Sequence, residues 1–262
     1  NAIRVHDDQL VGVGCFGQIK PEATTEQTIL IEACEYGWWY SAPTPNNQMS
    51  VILMTDLDMI KELDAAKQTN WKTLLSKTNF TSKRLKDVIL EGNPRSFLAY
   101  SSKLTHAGSK NWLAVGDALS SHDPLSSSGI PHALGSGAYA GRVVVASLQG
   151  NFSVLEDYNT EITNQYISYL DTKRKYYDFE QRWPNSKFWR RRNDAISIDA
   201  EMVLKETLKT PEHPVHLSTN DYNTLTSLQE YGNQAHTLVS KFKAQHPEIS
   251  DQSVILGLQE MI

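Results

Sequence analysis

The stretch from Asn111 to Gly141 limits the fold more than any other part of this sequence. An apolar run, Asn111 to Val115, reads as a strand and ends in Gly116-Asp117-Ala118. A loop follows, Leu119-Ser120-Ser121-His122-Asp123-Pro124-Leu125-Ser126-Ser127-Ser128-Gly129, and then a helix expected over Ile130 to Leu148 that is crowded with Gly, Ala and Ser. Small residues let a helix lie very close to a sheet or a ligand. The Asp117 carboxylate at a strand end suits sugar-like hydroxyls, and Gly116 before it lets a ligand approach the backbone. Pro131 falls in the first helical turn, where its missing N–H costs little. The backbone amides of Ser128, Gly129 and Ile130 then form a positive helix terminus suited to an anion or a polarised carbonyl.

Upstream, residues 9–19 alternate around Leu10, Val11, Val13, Cys15 and Phe16 and read as a strand. Two further strand-like runs, Gln27 to Tyr40 and Gln48 to Thr55, flank a turn-rich Ala42-Pro43-Thr44-Pro45-Asn46-Asn47. Loops this short favour an antiparallel meander over parallel crossovers. Asp56 to Val88 reads as helical, strands return at Arg95 to Leu104, and a second long helix is expected over Val154 to Arg182. The tail from Asn193 reads as several short helices. The fold class is therefore α+β (α/β overall). Four parts are expected: a sheet with helices over 1–92, a ligand-binding part over 93–150, a helix with a basic-aromatic segment over 151–192, and a small helical tail over 193–262.

One motif misleads. Gly12-Val13-Gly14-Cys15-Phe16-Gly17 matches G-x-G-x-x-G to the letter. That pattern binds dinucleotides only where it follows a strand and opens a helix. Here Pro21 and the pair Thr24-Thr25 oppose a helix, and the glycines lie inside a strand pattern, where glycine marks a bulge or close packing.

Bulk properties exclude several functions. A net charge of −5 over 262 residues gives no electrostatic reason to bind nucleic acid. No run approaches the ~18 apolar residues of a membrane span. Two cysteines, Cys15 and Cys34, make neither a disulfide framework nor a cysteine zinc site, and are expected as buried thiols in a reducing, cytoplasmic setting. No metal site is expected.

Gly116-Asp117-Ala118, Pro124, Gly129, Ala133 and Gly137 together resemble the second FAD motif of the flavoprotein hydroxylases related to p-hydroxybenzoate hydroxylase. Asp123-Pro124-Leu125-Ser126-Ser127-Ser128-Gly129 is closer to the Asp-Pro-x-x-Ser-x-Gly loop of flavin-dependent halogenases than to the His-Pro-x-x-Gly-Gln-Gly of the classical hydroxylases. Gly37-Trp38-Trp39-Tyr40-Ser41-Ala42-Pro43 resembles a strand of the same superfamily's substrate domain, but Tyr40 and Ala42 depart from the halogenase Trp-x-Trp-x-Ile-Pro motif. The resemblance covers roughly residues 1–192. It implies a p-hydroxybenzoate hydroxylase-like fold, with an antiparallel substrate-domain sheet and the C-terminal part of an FAD-binding domain. It implies FAD as cofactor, positioned by Gly116, Asp117, Pro124, Ser128, Gly129 and Ile130, with a flavin hydroperoxide attacking an electron-rich aromatic substrate. The Trp-Trp strand and the Arg182-Trp183-Pro184…Phe188-Trp189-Arg190-Arg191-Arg192 segment also resemble the flavoproteins that mature cysteine tryptophylquinone in amino-acid oxidases, whose substrate is a tryptophan of a partner protein. The superfamily's Gly-rich FAD fingerprint is expected in an N-terminal portion preceding Asn1, so this chain alone is expected to hold FAD weakly.

Some residues carry two readings each. His122 is a proton donor or substrate contact or, more simply, a solvent-exposed loop histidine. Trp38 and Tyr40 are candidates to line a substrate pocket, although one aromatic of this strand must face a core. Residues 173–192 carry eight basic and two acidic side chains interleaved with aromatics, either a docking surface for an acidic partner or the flavin's phosphates, or a solvated helix end. The tail's helix-turn-helix look is opposed by its charge, four Lys and no Arg against ten carboxylates over 193–262, so packing against the body or binding a protein is expected.

Overall fold

A computed structural model describes residues 2–23, 26–193, 208–211, 214–229 and 235–261. The elements run β1 Arg4–His6, β2 Leu10–Ile19, β3 Leu30–Cys34, β4 Gly37–Thr44, β5 Gln48–Asp56, α1 Leu57–Leu63, α2 Gln68–Ser76, α3 Thr81–Arg84, β6 Val88–Leu90 and β7 Arg95–Leu98. They continue with β8 Ser102–Leu104, β9 Gly108–Ser109, β10 Trp112–Leu113, β11 Ser120–Ser121, α4 Gly129–Leu148, α5 Val154–Asp178, α6 Lys187–Asn193, α7 Thr219–Leu228, α8 Ala235–Gln245 and α9 Asp251–Glu260. Helices and antiparallel sheet are mixed, as the α+β class requires.

The chain divides into two compact units: residues 7–101 with 177–193, and residues 1–6, 102–176 and 194–262. The expected boundary at 92/93 thus falls nine residues later, at 101/102, and the expected 151–192 block is shared between the units. Of the tail, residues 194–207, 212–213 and 230–234 lie outside the described residues.

The unit of residues 7–101 and 177–193 is built on an antiparallel sheet in the order β3-β4-β5-β2-β6, with β7 also paired to β2. Strand alternation sends Val11, Val13, Trp39, Val51 and Leu53 to one face, against Ile60, Trp71, Leu74 and Leu75 of the helices. The Trp71 indole N–H donates to Val13 O at 2.9 Å, and Trp39 meets its ring edge-on at 5.0 Å. The G-x-G-x-x-G run lies inside β2, and a Cβ at Gly12 would sit 2.2 Å from the Phe97 ring, so the glycine serves packing.

The run expected as one strand over Gln27 to Tyr40 is a hairpin, β3 and β4, with Cys34 paired to Gly37. Gly37 has φ +147, and a Cβ there would lie 1.9 Å from Met54 O, so the turn demands glycine. The strand then runs on to Thr44, and Asn46 and Asn47 turn the chain at φ 65 and 57, the left-handed region Asn tolerates.

The stretch Asp56 to Val88 is three helices, with Asp64 in the left-handed conformation ending α1. Glu32, from β3, caps the third. Its carboxylate accepts from the Asn79, Phe80 and Thr81 amides (2.6, 3.1 and 2.6 Å) and from the Thr81 hydroxyl at 2.7 Å. Burial opposes the charge, but these hydrogen bonds outweigh it and hold the carboxyl below its ordinary value.

The basic-aromatic segment turns inward. Buried Arg192 forks onto Asp56 at 2.7 and 3.1 Å and covers the Phe188 ring at 3.6 Å. Arg191 bridges Asp56 and Asp58, and Lys187 bridges Asp58 and Glu62. These three cations are spent on carboxylates of their own unit, which corrects the docking-surface expectation for them. Cys15 and Cys34 are free, and burial pushes the Cys34 thiol up to about 12, so neither is a ready nucleophile.

In the other unit, β8 lies between β1 and β11, while β9 and β10 form a small hairpin. A core of Ala107, Ala114, Leu119, Ala140, Val143, Tyr158 and Ile162 joins α4 and α5 to the intervening strands. The tail helices α7, α8 and α9 bury Tyr222, Leu225, Leu238, Phe242, Val254 and Leu258 against one another, so their apolar faces are used in packing. No helix among the described residues is long and apolar enough to cross a membrane.

Candidate cofactor loop

The expected strand Asn111 to Val115 shortens to β10, and Gly116–Ala118 forms one 3-10 turn. Gly116 adopts φ +55, its amide donates to Ser136 Oγ of α4 at 2.9 Å, and an added Cβ would press on Ala133 at 3.3 Å. The left-handed turn and this contact explain the glycine, and they leave the Asp117 side chain exposed. Arg4 fastens the turn from β1 through the carbonyls of Asp117 and Ala118.

The far side of the loop is built by Asp123 and Pro124. Asp123 is buried; its carboxylate accepts from Leu125 N–H at 2.8 Å and its own amide donates to the Tyr169 hydroxyl at 2.6 Å. A 3-10 turn over Pro124–Ser126 follows, with Ser127 left-handed at φ 51. Helix α4 then starts at Gly129, one residue before the expected Ile130, with Pro131 in its first turn. Ser128 occupies the N-cap position but makes no side-chain cap, so the first amides of α4 have no acceptor from it. A Cβ at Gly129 would meet nothing within 4 Å, and Ile130 is 77% exposed.

His122 is not the solvated loop histidine expected from its polar neighbours. Its ring stacks on Tyr169 (centroids 4.0 Å apart, planes 7° apart) and lies 4.4 Å from His132. Nδ1 is 2.8 Å from Ser128 Oγ, while Nε2 is buried without a hydrogen-bond partner among the described residues. Burial, followed by His132 and Lys173, pushes its pKa down to about 3, so it stays neutral at physiological pH and is a poor proton donor. His132 is also held below its ordinary value, chiefly by burial, against the Gly116 carbonyl and Asp117; its Nε2 pairs with Ser120 Oγ at 2.9 Å.

His132 and the tyrosines of α5 escaped sequence reasoning. Tyr158 donates to Ala114 O at 2.8 Å and Tyr169 holds Asp123, so one helix pins both flanks of the loop. Tyr158, Tyr166 and Tyr169 share a helical face and are buried, a stripe visible in the sequence of an otherwise polar helix.

The aromatic strand behaves differently from expectation. Trp38 is buried and its indole donates to the Tyr177 hydroxyl at 3.1 Å, so it is a packed residue and not an open pocket wall. Tyr40 is half-buried on the sheet face opposite the main core. Cross-strand register puts Ile31, Ile52 and Gly14 on that same face, and next to them Phe16 and Phe97 are exposed.

The loop's features suit part of an FAD. An exposed carboxylate follows the left-handed turn at buried Gly116, and an uncapped helix start faces open space at Gly129. A dinucleotide fingerprint to hold the pyrophosphate is absent among the described residues, because the G-x-G-x-x-G run is strand.

No family model matches the chain. Its fold is that of solved flavin-dependent halogenases, and its sequence is similar to a protein named as an FAD-dependent oxidoreductase, which makes FAD the cofactor. In sequence it is 37% identical over 191 residues to the putative FAD-dependent oxidoreductase LodB of Marinomonas mediterranea, a match covering 72% of this chain and 50% of that protein. Among solved structures it is similar to the myxobacterial chondrochloren halogenase CndH (TM-score 0.64, 21% identity, 73% of this chain and 46% of that one) and to the flavin-dependent halogenase CmlS (0.63, 20%, 98% and 45%). It is also similar to QhpG, a peptidyl tryptophan dihydroxylase essential for tryptophylquinone cofactor biogenesis (0.56, 15%, 98% and 65%). The chain spans about half the length of the curated relative it matches.

Proposed function

We propose that this chain supplies the flavin-ring side of the site in an FAD-dependent monooxygenase that acts on an electron-rich aromatic group, a tryptophan side chain of a partner protein being the substrate class favoured. The observation that carries this reading is the exposed Asp117 in the same loop as the uncapped start of α4, both held by buried side chains of α4 and α5. Asp117 would accept hydrogen bonds from the ribityl hydroxyls. The amides of Gly129 and Ile130 would face the electron-rich edge of the ring, with Pro124 and Ser128, whose own amide donates to Ser126 Oγ at 3.3 Å, shaping the loop around it. Bound and reduced, FAD supplies the activated oxygen. The chain's own residues orient the ring and favour negative charge on it.

The aromatic face around Tyr40, Phe16 and Phe97 suits an indole by stacking. The neighbour QhpG acts on a peptidyl tryptophan, which supports a protein-borne substrate for this chain. His122 acts as a neutral structural group and not as the acid, given its burial and stacking.

Halogenation is the second reading, favoured by the Asp123-Pro124…Ser128-Gly129 loop and the halogenase neighbours. The test is a full-length protein carrying this chain, supplied with FAD, reductant, air and a tryptophan-bearing partner, with and without bromide. Oxygen added to the tryptophan in both conditions supports monooxygenation; bromine added only with bromide supports halogenation. A full-length protein that is colourless and binds its partner unchanged would favour a non-catalytic, chaperone-like module.

A further inference from the structure

Serine is among the best helix N-caps because its oxygen accepts from the first free amides, and a capping serine has extended backbone. Ser128 does neither. It stands before α4 with φ −91 and ψ −9 and no side-chain cap. Its hydroxyl lies instead 2.6 Å from Ser126 Oγ and 2.8 Å from His122 Nδ1.

The protons of this chain can be assigned. Ser126 Oγ donates to Asp123 O at 2.7 Å, since a carbonyl only accepts. Its one proton is then used, so Ser128 must donate to Ser126. Ser128 in turn has no proton left for His122, so Nδ1 carries the hydrogen and donates to Ser128 Oγ. Every contact is satisfied only in this order, and it fixes the tautomer: Nδ1–H, with a bare Nε2. The ring cannot swing away from Ser128 without leaving its stack on Tyr169.

We propose that His122 is a positioning residue that holds the Ser128 hydroxyl off the helix, so that the first amides of α4 stay available to the flavin instead of being capped from within. This rests on the reading that the start of α4 faces FAD. Without the Nδ1–H donor, Ser128 Oγ keeps only its bond to Ser126, and a shift of its backbone to the extended form of a cap would let it accept from the Ile130 amide in competition with the ligand; Pro131, next along, has no amide to cap. Polarity alone does not matter here; the effect requires the serine hydroxyl.

The experiment is a double-mutant cycle on FAD affinity, read by flavin absorbance and fluorescence in a full-length protein carrying this chain. His122→Phe keeps a ring against Tyr169 but cannot donate, and should weaken FAD about fivefold, the size of one helix cap. His122→Asn, which keeps a donor near the Nδ1 position, should bind close to wild type. In a Ser128→Ala background, His122→Phe should change nothing, because no hydroxyl remains to compete. His122→Phe at wild-type affinity, or an equal loss with and without the Ser128 hydroxyl, would overturn the proposal while leaving the flavin reading intact. So would His122→Asn failing to recover binding. Wild-type protein that binds no FAD would overturn both.

Discussion

The ring of His122 lies flat on that of Tyr169, 4.0 Å between centroids, while the Tyr169 hydroxyl accepts the amide proton of the next residue, Asp123. One α5 side chain therefore fixes both a side chain and the backbone of the flavin loop. Tyr169→Phe keeps the stack and removes the hydroxyl that accepts from the buried Asp123 amide. The expected cost is about 1–3 kcal/mol in denaturant unfolding. An unchanged midpoint would mean that the loop does not depend on this bond.

The neutral His122 makes stability depend on pH. Its folded pKa of about 3 lies below the ordinary 6.5. The unfolded chain thus binds more protons between those values, and stability falls as pH drops through that window. Above 6.5 the residue contributes no slope, and below about 3 the loss is complete. His122→Phe should flatten the slope between pH 6.5 and 4 in thermal unfolding, relative to wild type.

Glu32 acts in the same direction, over a lower pH range. Its carboxyl is held below its ordinary value, so its contribution is present at neutral pH and is lost as acid protonates it below pH 4.5. Glu32→Ala removes the acceptor of three amides and the Thr81 hydroxyl. About 2–3 kcal/mol of stability should go with it, measured by chemical denaturation at neutral pH.

Arg192 and Asp56 form a buried pair, each under 10% exposed. Arg192→Met alone strands the Asp56 charge in the interior, with only the more exposed Arg191 left to pair it. The expected loss is about 3–5 kcal/mol, and the double variant Arg192→Met with Asp56→Asn should recover much of it. Additive losses in that cycle would show that the two side chains act separately.

What was legible in the sequence was local. Alternation marked β2 and β5, and the Gly-Asp-Ala turn with its serine-rich loop marked α4 to within one residue. What escaped depends on distant partners. The helical stretch 56–88 breaks where Glu32, 47 to 49 residues away in sequence, caps α3. The arginines of α6 look like an open basic patch until Asp56 and Asp58 arrive from β5 and α1, more than 130 residues upstream. His122 looks exposed because its own neighbours are polar; the ring that buries it comes from Tyr169. Within the loop, residue types announced a ligand. The order of hydrogen bonds from Asp123 through Ser126 and Ser128 to His122 depends on how the loop folds back on itself, which residue types do not show.

The most direct test of the central claim is FAD stoichiometry and affinity in a full-length protein carrying this chain, compared with its Asp117→Ala variant. Asp117 is exposed, so the substitution leaves the fold intact. The wild type should purify with a flavin spectrum that bleaches under reductant and returns in air. The variant should bind FAD about tenfold or more weakly, as expected for losing charged hydrogen bonds to the ribityl chain. A colourless wild type that takes up no added FAD, or a variant that binds FAD as tightly as the wild type, would contradict it.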